Sequence, residues 1–455
     1  MEVRLFDFQT VTRKDPDIDE NDANVFLIQM FGINEQGETF SIEVPDFKPY
    51  FYCLVPPTFT SSDKRMFLDH VKQKVGPYFA DSILDCVFIK RKKLDGFDAQ
   101  SDHLFLCFKF RGMSSFYKTR NLWYDEVKKG TEVKQVLKAG YYYQGKLIRL
   151  YEANIPPLLR FFHIKEISPS GWIQLPKVKH VTPRTTTCTY EYIVQTKDII
   201  ALQKETPVPY NICSFDIEAS SSHGDFPVPI KDYKRLAEQI LESEEDLDQC
   251  IYAAFGYDTL PNIDLVYPKT PVSREYIKDM LPKWKKEIIR GSILEEYDTE
   301  EEEDEPIDAP LMTVEELMQS DHPCKVVELR KALNNGFPPL EGDKVTFIGS
   351  TFYKRGVNVL NHCIVLGGCE PVANAEIECY EEERDVLVAW TRLIQKEDPD
   401  ILIGYNIFGF DEQFMFKRAL ETGCVEDFLE LTRNKHVMAG KQTEDSWEIE
   451  QKSVF

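Results

Sequence analysis

The sequence predicts an α+β domain over residues 1–200 followed by an α/β domain over 201–455. Three observations carry that prediction. Short β-type runs outnumber helix-sized runs across the first part. A strand, strand, strand, helix, strand, helix order appears after residue 343. Between the two, residues 231–340 turn sharply acidic. Strands in runs with few helices read as α+β, whereas strands and helices in layered alternation read as α/β.

The elements follow in order. Val25 to Ile33 is a β-type run, Asn34-Glu35-Gln36-Gly37-Glu38 a turn, and Thr39 to Val44 alternates again, which predicts a hairpin. Residues 61–75 read as helix, Leu104 to Phe110 as strand, 113–137 as room for a helix, and a further strand starts near Tyr141. Pro207 and Pro209 mark a connector. Asn211 to Ala219 is then a buried strand that carries two carboxylates. Lys344 to Phe352, His362 to Leu366 and Ala375 to Tyr380 are strands. A helix opens at Glu381-Glu382-Glu383, acids at its positive end. Val386, Leu387, Trp390, Leu393 and Ile394 give it one apolar face. Ile401 to Gly404 is a strand and Asp411 to Leu420 a helix, after which no further element of the expected kind is read.

The chain has 455 residues, enough for about three compact units at roughly 150 residues each. Hydrophobic residues make up 42% and charged residues 29%, which excludes a fully disordered chain. No window approaches the ~18 consecutive apolar residues of a membrane helix, and the start lacks a secretory layout. Eleven cysteines occur without a C-x-x-C pair, against a zinc ribbon, redox motif or disulfide scaffold. The expectation is a soluble intracellular protein with reduced thiols and no membrane partner. Net charge is 54 − 77 = −23, which excludes a simple nucleic-acid binder taken whole. The charge is uneven, however. Residues 71–190 hold 21 Lys and Arg against 10 Asp and Glu, while 231–340 hold 13 against 26. A basic, aromatic-rich stretch followed by an acidic one points to polyanion binding by the first. The acidic stretch contains Glu242 to Asp246 and the run Glu295 to Glu305, and is expected to be a mobile insertion.

Two motifs carry chemistry. In Phe215-Asp216-Ile217-Glu218, residues two apart on a strand face one side, so Asp216 and Glu218 project together while Phe215 and Ile217 pack behind. Like charges beside a buried strand need a neutralising cation, and Mg²⁺ prefers carboxylate oxygens with retained waters. Solvated carboxylates on an edge strand are the plainer alternative. In Gly404-Tyr405-Asn406-Ile407-Phe408-Gly409-Phe410-Asp411, a hydrophobic strand ends where ligand sites of α/β sheets gather. Asp411 opens the next helix, either as its cap or as a third carboxylate. Asn406 could hydrogen-bond a substrate, and Phe410 could stack on a base.

Phe215 to Ala219, with His223-Gly224-Asp225-Phe226-Pro227 after it, resembles the first exonuclease motif of family B DNA polymerases, especially the delta-like branch and those of large DNA viruses. Gly404 to Asp411 resembles the second. Leu150 to Pro156, Leu159-Arg160-Phe161, Gly171-Trp172-Ile173, Lys93 to Asp98 and Leu122-Trp123-Tyr124 resemble the N-terminal domain of that branch. The resemblance implies a polymerase N-terminal domain over 1–200 and an RNase H-like 3′→5′ exonuclease domain over 201–455, with 231–340 inserted. It implies two-metal hydrolysis of a DNA end, with Mg²⁺ or Mn²⁺ held by catalytic Asp216, Glu218 and Asp411. Tyr405, Asn406 and Phe410 would bind the terminal nucleotides. The partners implied are a primer 3′ end and single-stranded template, the latter on the basic stretch 71–190. A viral replication site or the nucleus would be the place of action.

The departures set further expectations. No tyrosine follows Tyr405, so the family's third exonuclease motif, Tyr-x3-Asp, has no counterpart, and the polymerase palm motifs have none either. The exonuclease domain is therefore expected to be incomplete at its C-terminus, leaving apolar sheet surface exposed. A second polypeptide would carry the rest of the polymerase. The alternatives are a non-catalytic DNA-binding or assembly fragment and a weak stand-alone nuclease.

Overall fold

The computed structural model describes residues 1–14, 24–93, 98, 100–125, 138–289, 312–435, 437–442 and 447–449. No helix among them is long and apolar enough to cross a membrane, and all eleven cysteines are free thiols.

Residues 1–202 build two sheets. In chain order the elements are β1 (Glu2–Lys14), β2 (Asn24–Ile33), β3 (Thr39–Val44), β4 (Tyr50–Leu54), α1 (Ser61–Val75), α2 (Pro77–Ala80), β5 (Ile83–Arg91), β6 (His103–Phe110), α3 (Met113–Arg120), β7 (Tyr141–Tyr143), β8 (Lys146–Tyr151), α4 (Pro157–Lys165), β9 (Trp172–Gln174), β10 (Lys179–His180), β11 (Tyr190–Ile193) and β12 (Ile200–Leu202). The first sheet runs β10-β11-β3-β2-β1-β9-β12 and the second β5-β6-β4-β8-β7. The β2–β3 hairpin forms as the turn chemistry requires: the Asn34 carboxamide oxygen accepts from the Gln36 and Glu38 N–H groups at 3.0 and 2.9 Å. Helix α1 has a capping box in which Thr60 and Asp63 each satisfy the other's backbone N–H. It packs Phe67 and Val71 onto Phe51, Leu106 and Phe108 of the second sheet. The helix expected within 113–137 stops at Arg120; residues 126–137 lie outside the described residues.

The second part is built on β13 (Asn211–Ser220). After it come α5 (Lys234–Glu242), α6 (Leu247–Ala254), α7 (Arg274–Trp284), β14 (Ile288–Ile289), β15 (Met312–Thr313), α8 (Val314–Gln319) and α9 (Lys325–Gly336). Then follow β16 (Lys344–Lys354), β17 (Val357–Leu366), β18 (Glu376–Tyr380), α10 (Glu383–Glu397), β19 (Ile401–Ile403), α11 (Asp411–Glu421), α12 (Val425–Phe428), β20 (Gly440–Gln442) and β21 (Trp447–Ile449). The sheet order is β18-β17-β16-β13-β19, with β13 antiparallel to β16 and parallel to β19. Phe215, Ile217, Ile348 and Phe352 pack against Trp390 of α10 and Phe414 of α11 in one core. Tyr353, Val357, Val359 and Ile403 of this sheet are exposed.

Two expectations are corrected. The acidic insertion is not a loop where it is described: α5 to α9 enclose their own core of Leu236, Ile240, Ile251, Ile277, Leu281, Trp284, Leu329 and Leu333. Their apolar residues recur at helical spacing while most of the acids occupy the outer faces, Glu328 of α9 being buried, so net charge hid an amphipathic pattern. Asp246, from one acidic run, caps α6 through the Asp248 N–H. The run 295–305 lies outside the described residues. Likewise, elements do follow α11: α12 buries Val425 and Phe428, and β20 pairs with β21.

Candidate active site

Strand β13 alternates as its sequence requires: Cys213, Phe215 and Ile217 are buried, and Asp216 and Glu218 are exposed on the opposite face. Phe215 anchors the strand on Trp390, ring to ring at 4.9 Å. On the neighbouring strand β16, Gly349 stands across from Asp216 and Phe347 across from Glu218. No side chain therefore rises beside Asp216 on that strand. The register slips between Glu218 and Ala219, and the Thr346 hydroxyl fills the bulge by donating to the Glu218 carbonyl at 3.1 Å. Bulges at such places re-aim side chains next to sites.

The other flank of β13 is shaped by the end of β19. Pairing with β19 covers Ile212 to Ser214 only. Gly404 then passes so close that a Cβ there would lie 2.9 Å from the Phe215 carbonyl oxygen and 2.2 Å from Ile407 Cγ2. A tight turn follows, with Asn406 in the left-handed region at φ 55°. The Asn406 carbonyl accepts from the Gly409 and Phe410 N–H groups at 3.0 and 3.1 Å. The chain is thereby aimed so that Asp411, the first residue of α11, meets β13. The helix cap is Phe410, which makes no side-chain cap bond. The Asp411 carboxylate instead accepts the Ile217 N–H at 3.2 Å, which β19 leaves without a ladder partner on that edge. The geometry therefore decides against a capping role for Asp411.

Asp411 is 2% exposed. Burial holds its carboxyl above the ordinary carboxylate range, the Ile217 N–H opposes this, and the charge of the adjacent Asp216 pushes it further up. Burial also raises its neighbour Glu412, with help from Asp411. Asp216 and Asp411 are thus brought together across the sheet. Glu218 shares their face, but among the described residues no three acidic, histidine or cysteine side chains close around one point.

Of the expected substrate-binding residues, Tyr405 is 94% exposed. Asn406 lies at the surface of the turn. Phe410 stands between Phe414 at 5.3 Å and Phe226 at 5.4 Å. Phe226, exposed, completes an aromatic rim that the sequence reading did not assign to the site, and Phe408 of the same turn as Asn406 is exposed as well. The Phe226-Pro227 pair beside the D-x-E strand was the available signal. Its loop is fixed from below. The Val228 N–H and carbonyl both bond Asp343, and Arg418 of α11 donates to the Pro229 carbonyl at 3.0 Å. Arg418, 1% exposed, also binds Glu383 at 2.5 Å and Glu421 at 2.7 Å, which locks α11 to α10. From the other side, Arg235 of α5 pairs with Asp225, and His223 bonds the Leu265 carbonyl at 2.7 Å.

Two carboxylates in contact, with no cationic side chain paired to either among the described residues, suit a hard divalent ion bound through oxygen. An exposed aromatic rim beside them suits bases of a single strand.

The chain is similar to known proteins over most of its length. The family model for "DNA polymerase family B, exonuclease domain" matches residues 148–235 and 308–453, passing over most of the helical insertion. The DNA polymerase of Phaeocystis pouchetii virus is 39% identical, over 91% of this chain and 45% of its own length. That of Pyramimonas orientalis virus is 30% identical, over 91% of this chain and 36% of its own. The DNA polymerase delta catalytic subunit of Dictyostelium discoideum is 26% identical over 58% of this chain and 24% of its own length. The chain thus spans less than half the length of these relatives. Among solved structures, the family B DNA polymerase from the hyperthermophilic archaeon Pyrobaculum calidifontis is similar over 98% of this chain and 35% of that chain, at 12% identity and TM-score 0.46. With its exonuclease region matched on both sides of the insertion, this chain belongs to the family B DNA polymerases.

Proposed function

We propose that this chain carries the 3′→5′ proofreading exonuclease of a replicative DNA polymerase, acting on the frayed end of a primer strand. The observation that supports it most is the meeting of Asp216 with Asp411, whose positions are set by separate elements. Asp411 is held by the Ile217 N–H, so its orientation does not depend on substrate. Asp216, Glu218 and Asp411 would hold Mg²⁺ or Mn²⁺, which when bound supply Lewis acidity and an activated water at the phosphodiester. The chain's own residues do the positioning. Phe410, backed by Phe414 and flanked by Phe226, offers a face to the terminal base. Asn406 and Tyr405 reach the backbone from the turn. A mispaired end frays at lower cost and so reaches this rim more often, which is the source of selectivity.

A second reading is favoured by one observation: the three carboxylates do not close into a site among the described residues. In that reading a further carboxylate comes from another segment or polypeptide.

The test is digestion of a 5′-labelled single-stranded primer with Mg²⁺ or Mn²⁺. The first reading expects a ladder shortened from the 3′ end that disappears in Asp216→Ala. The second expects silence from the chain alone and cleavage once the remaining part of the polymerase is added. DNA binding without metal-dependent cleavage in either arrangement overturns both in favour of a non-catalytic DNA-binding module.

A further inference from the structure

The loop between β13 and α5 is held at two levels. Its base is fixed by the start of β16 and by α11: Asp343 exchanges two hydrogen bonds with the Val228 backbone, and Arg418 donates to the Pro229 carbonyl. Gly342 passes so close that a Cβ there would lie 2.0 Å from the Pro229 carbonyl oxygen. The tip, residues 221–226, is held differently. Among the described residues, its hydrogen bonds, ion pairs and ring contacts beyond the loop run from Phe226 to Phe410, and from Asp225 and His223 to the helical insertion. Asp225 accepts on both oxygens, from the Ser221 hydroxyl behind it and from the Arg235 guanidinium. Arg235 and Gln239 are four residues apart on α5 and share a face. Both reach Asp264, Arg235 at 2.8 Å through Nε and Gln239 at 2.6 Å, and the Asp264 N–H returns a bond to the Gln239 carboxamide oxygen at 3.1 Å. Beside these bridges a cleft of about 360 Å³ lies between loop and insertion, and Val228, Ile230, Leu265 and Tyr267 on its walls are exposed.

We propose that Arg235 is a positioning residue for the exonuclease: by forking between Asp225 and Asp264 it sets where Phe226 stands against Phe410, and so makes the helical insertion part of the substrate site. The proposal rests on the exonuclease reading. It gives a role to residues 236–307, which the family model passes over. Three observations carry it. First, burial does not hold the tip. Gly224 and Asp225 are exposed and Phe226 is 73% exposed. A segment with few buried apolar contacts sits at the low end of local stability, so its polar bridges decide its place. Second, the bridge has a firm footing. Leu236 and Ile240, beside Arg235 and Gln239 on α5, are buried in the insertion's own core. A bond to Arg235 is therefore a bond to a packed body and not to another loop. Third, the bridge ends next to the working ring. Asp225 directly precedes Phe226, whose centroid is 5.4 Å from that of Phe410, so a shift of the carboxylate carries the ring with it. The planar fork of a guanidinium can serve two carboxylates at once, which the point charge of an ammonium does less well.

The first readout needs neither DNA nor metal. A fluorine-labelled phenylalanine ring at position 226 of the full chain is followed by ¹⁹F NMR, with Phe410→Ala as the undocked reference. In Arg235→Ala the resonance should move toward that reference, by a shift that corresponds to a fall of about two- to fivefold in the docked-to-free ratio, the range of exposed ion pairs. Asp264→Asn, which loosens the same fork from its other end, should move it the same way, and Arg235→Lys should recover part. Lys285→Ala breaks an ion pair with Asp248 inside the insertion and should leave the resonance in place. An unmoved resonance in Arg235→Ala, or an equal movement in Lys285→Ala, overturns the proposal. The second readout is quenching of 2-aminopurine at the 3′ end of a single-stranded oligodeoxynucleotide in EDTA, which reports stacking of the terminal base. Arg235→Ala should weaken the quenching, and Arg235→Ala/Phe226→Ala should lose no more than Phe226→Ala alone, because Arg235 acts through that ring. Additive losses overturn the positioning role. A wild type that neither binds nor quenches the oligonucleotide overturns the exonuclease reading instead, whatever the fluorine resonance does, so the two failures are told apart.

Discussion

Replacing Asp411 separates its structural role from its chemical one. Its carboxylate accepts the Ile217 N–H at 3.2 Å, while both residues are buried and β19 has already ended. Asp411→Ala removes that acceptor and leaves a buried donor unpaired, at a cost of about 1–3 kcal/mol. Asp411→Asn keeps an oxygen of the same reach and removes a charge that both burial and Asp216 oppose. Without divalent metal, Asn should therefore be as stable as wild type or more so, and Ala less stable than Asn by the full hydrogen-bond term. The readout is local, since a chain of several units has no single unfolding free energy. Hydrogen exchange at the Ile217 amide should accelerate about 5- to 150-fold in Ala relative to Asn, the same 1–3 kcal/mol at tenfold per 1.4. Metal-dependent primer digestion should fall by orders of magnitude in both. Equal exchange at Ile217 in the two variants would refute the reasoning, because the bond would then not be what fixes Asp411.

Two further expectations are independent of that site. Arg418→Ala leaves Glu383 as a buried, uncompensated charge, while Glu421 keeps its pairing with Lys269. Loss of about 3–5 kcal/mol is expected, read as faster hydrogen exchange of the α10 and α11 amides, with Arg418→Lys recovering only part because a point charge cannot satisfy the forked geometry. Asp63, in the α1 capping box, is held at about 2, below its ordinary 3.8, by hydrogen bonds from Lys146 and from Thr60. A depressed carboxylate contributes stability that is present above its unfolded value and lost as pH falls through the folded one. The acid sensitivity of α1 between pH 3.8 and about 2 should therefore shrink in Asp63→Asn, read as the difference in α1 amide exchange protection between wild type and variant across that window. An unchanged difference would deny Asp63 its role.

The portions of the fold legible in the sequence are those whose signal fits within a few residues. The 34–38 turn, the apolar face from Val386 to Ile394 and the in-and-out pattern of Phe215-Asp216-Ile217-Glu218 each repeat at the period of their own element. The strand itself puts Asp216 and Glu218 on one side, because side chains of a pleated chain alternate. The insertion was misread for the converse reason. A charge sum ignores position, whereas Leu236, Ile240, Leu329 and Leu333 needed only to meet each other to make a core.

What sequence alone determined was which carboxylates share a strand face and which turn precedes Asp411. Tertiary structure alone decided that Asp411 reaches the Ile217 amide from 194 positions away, that Phe226 stands beside Phe410, and that Arg418 joins α11 to both α10 and the Pro229 loop. The physical reason is one of range. Alternation and turn formation depend on covalent neighbours, but a contact across two hundred residues depends on where β19 stops, how its register meets β13 and which buried ion pairs hold the helix behind it.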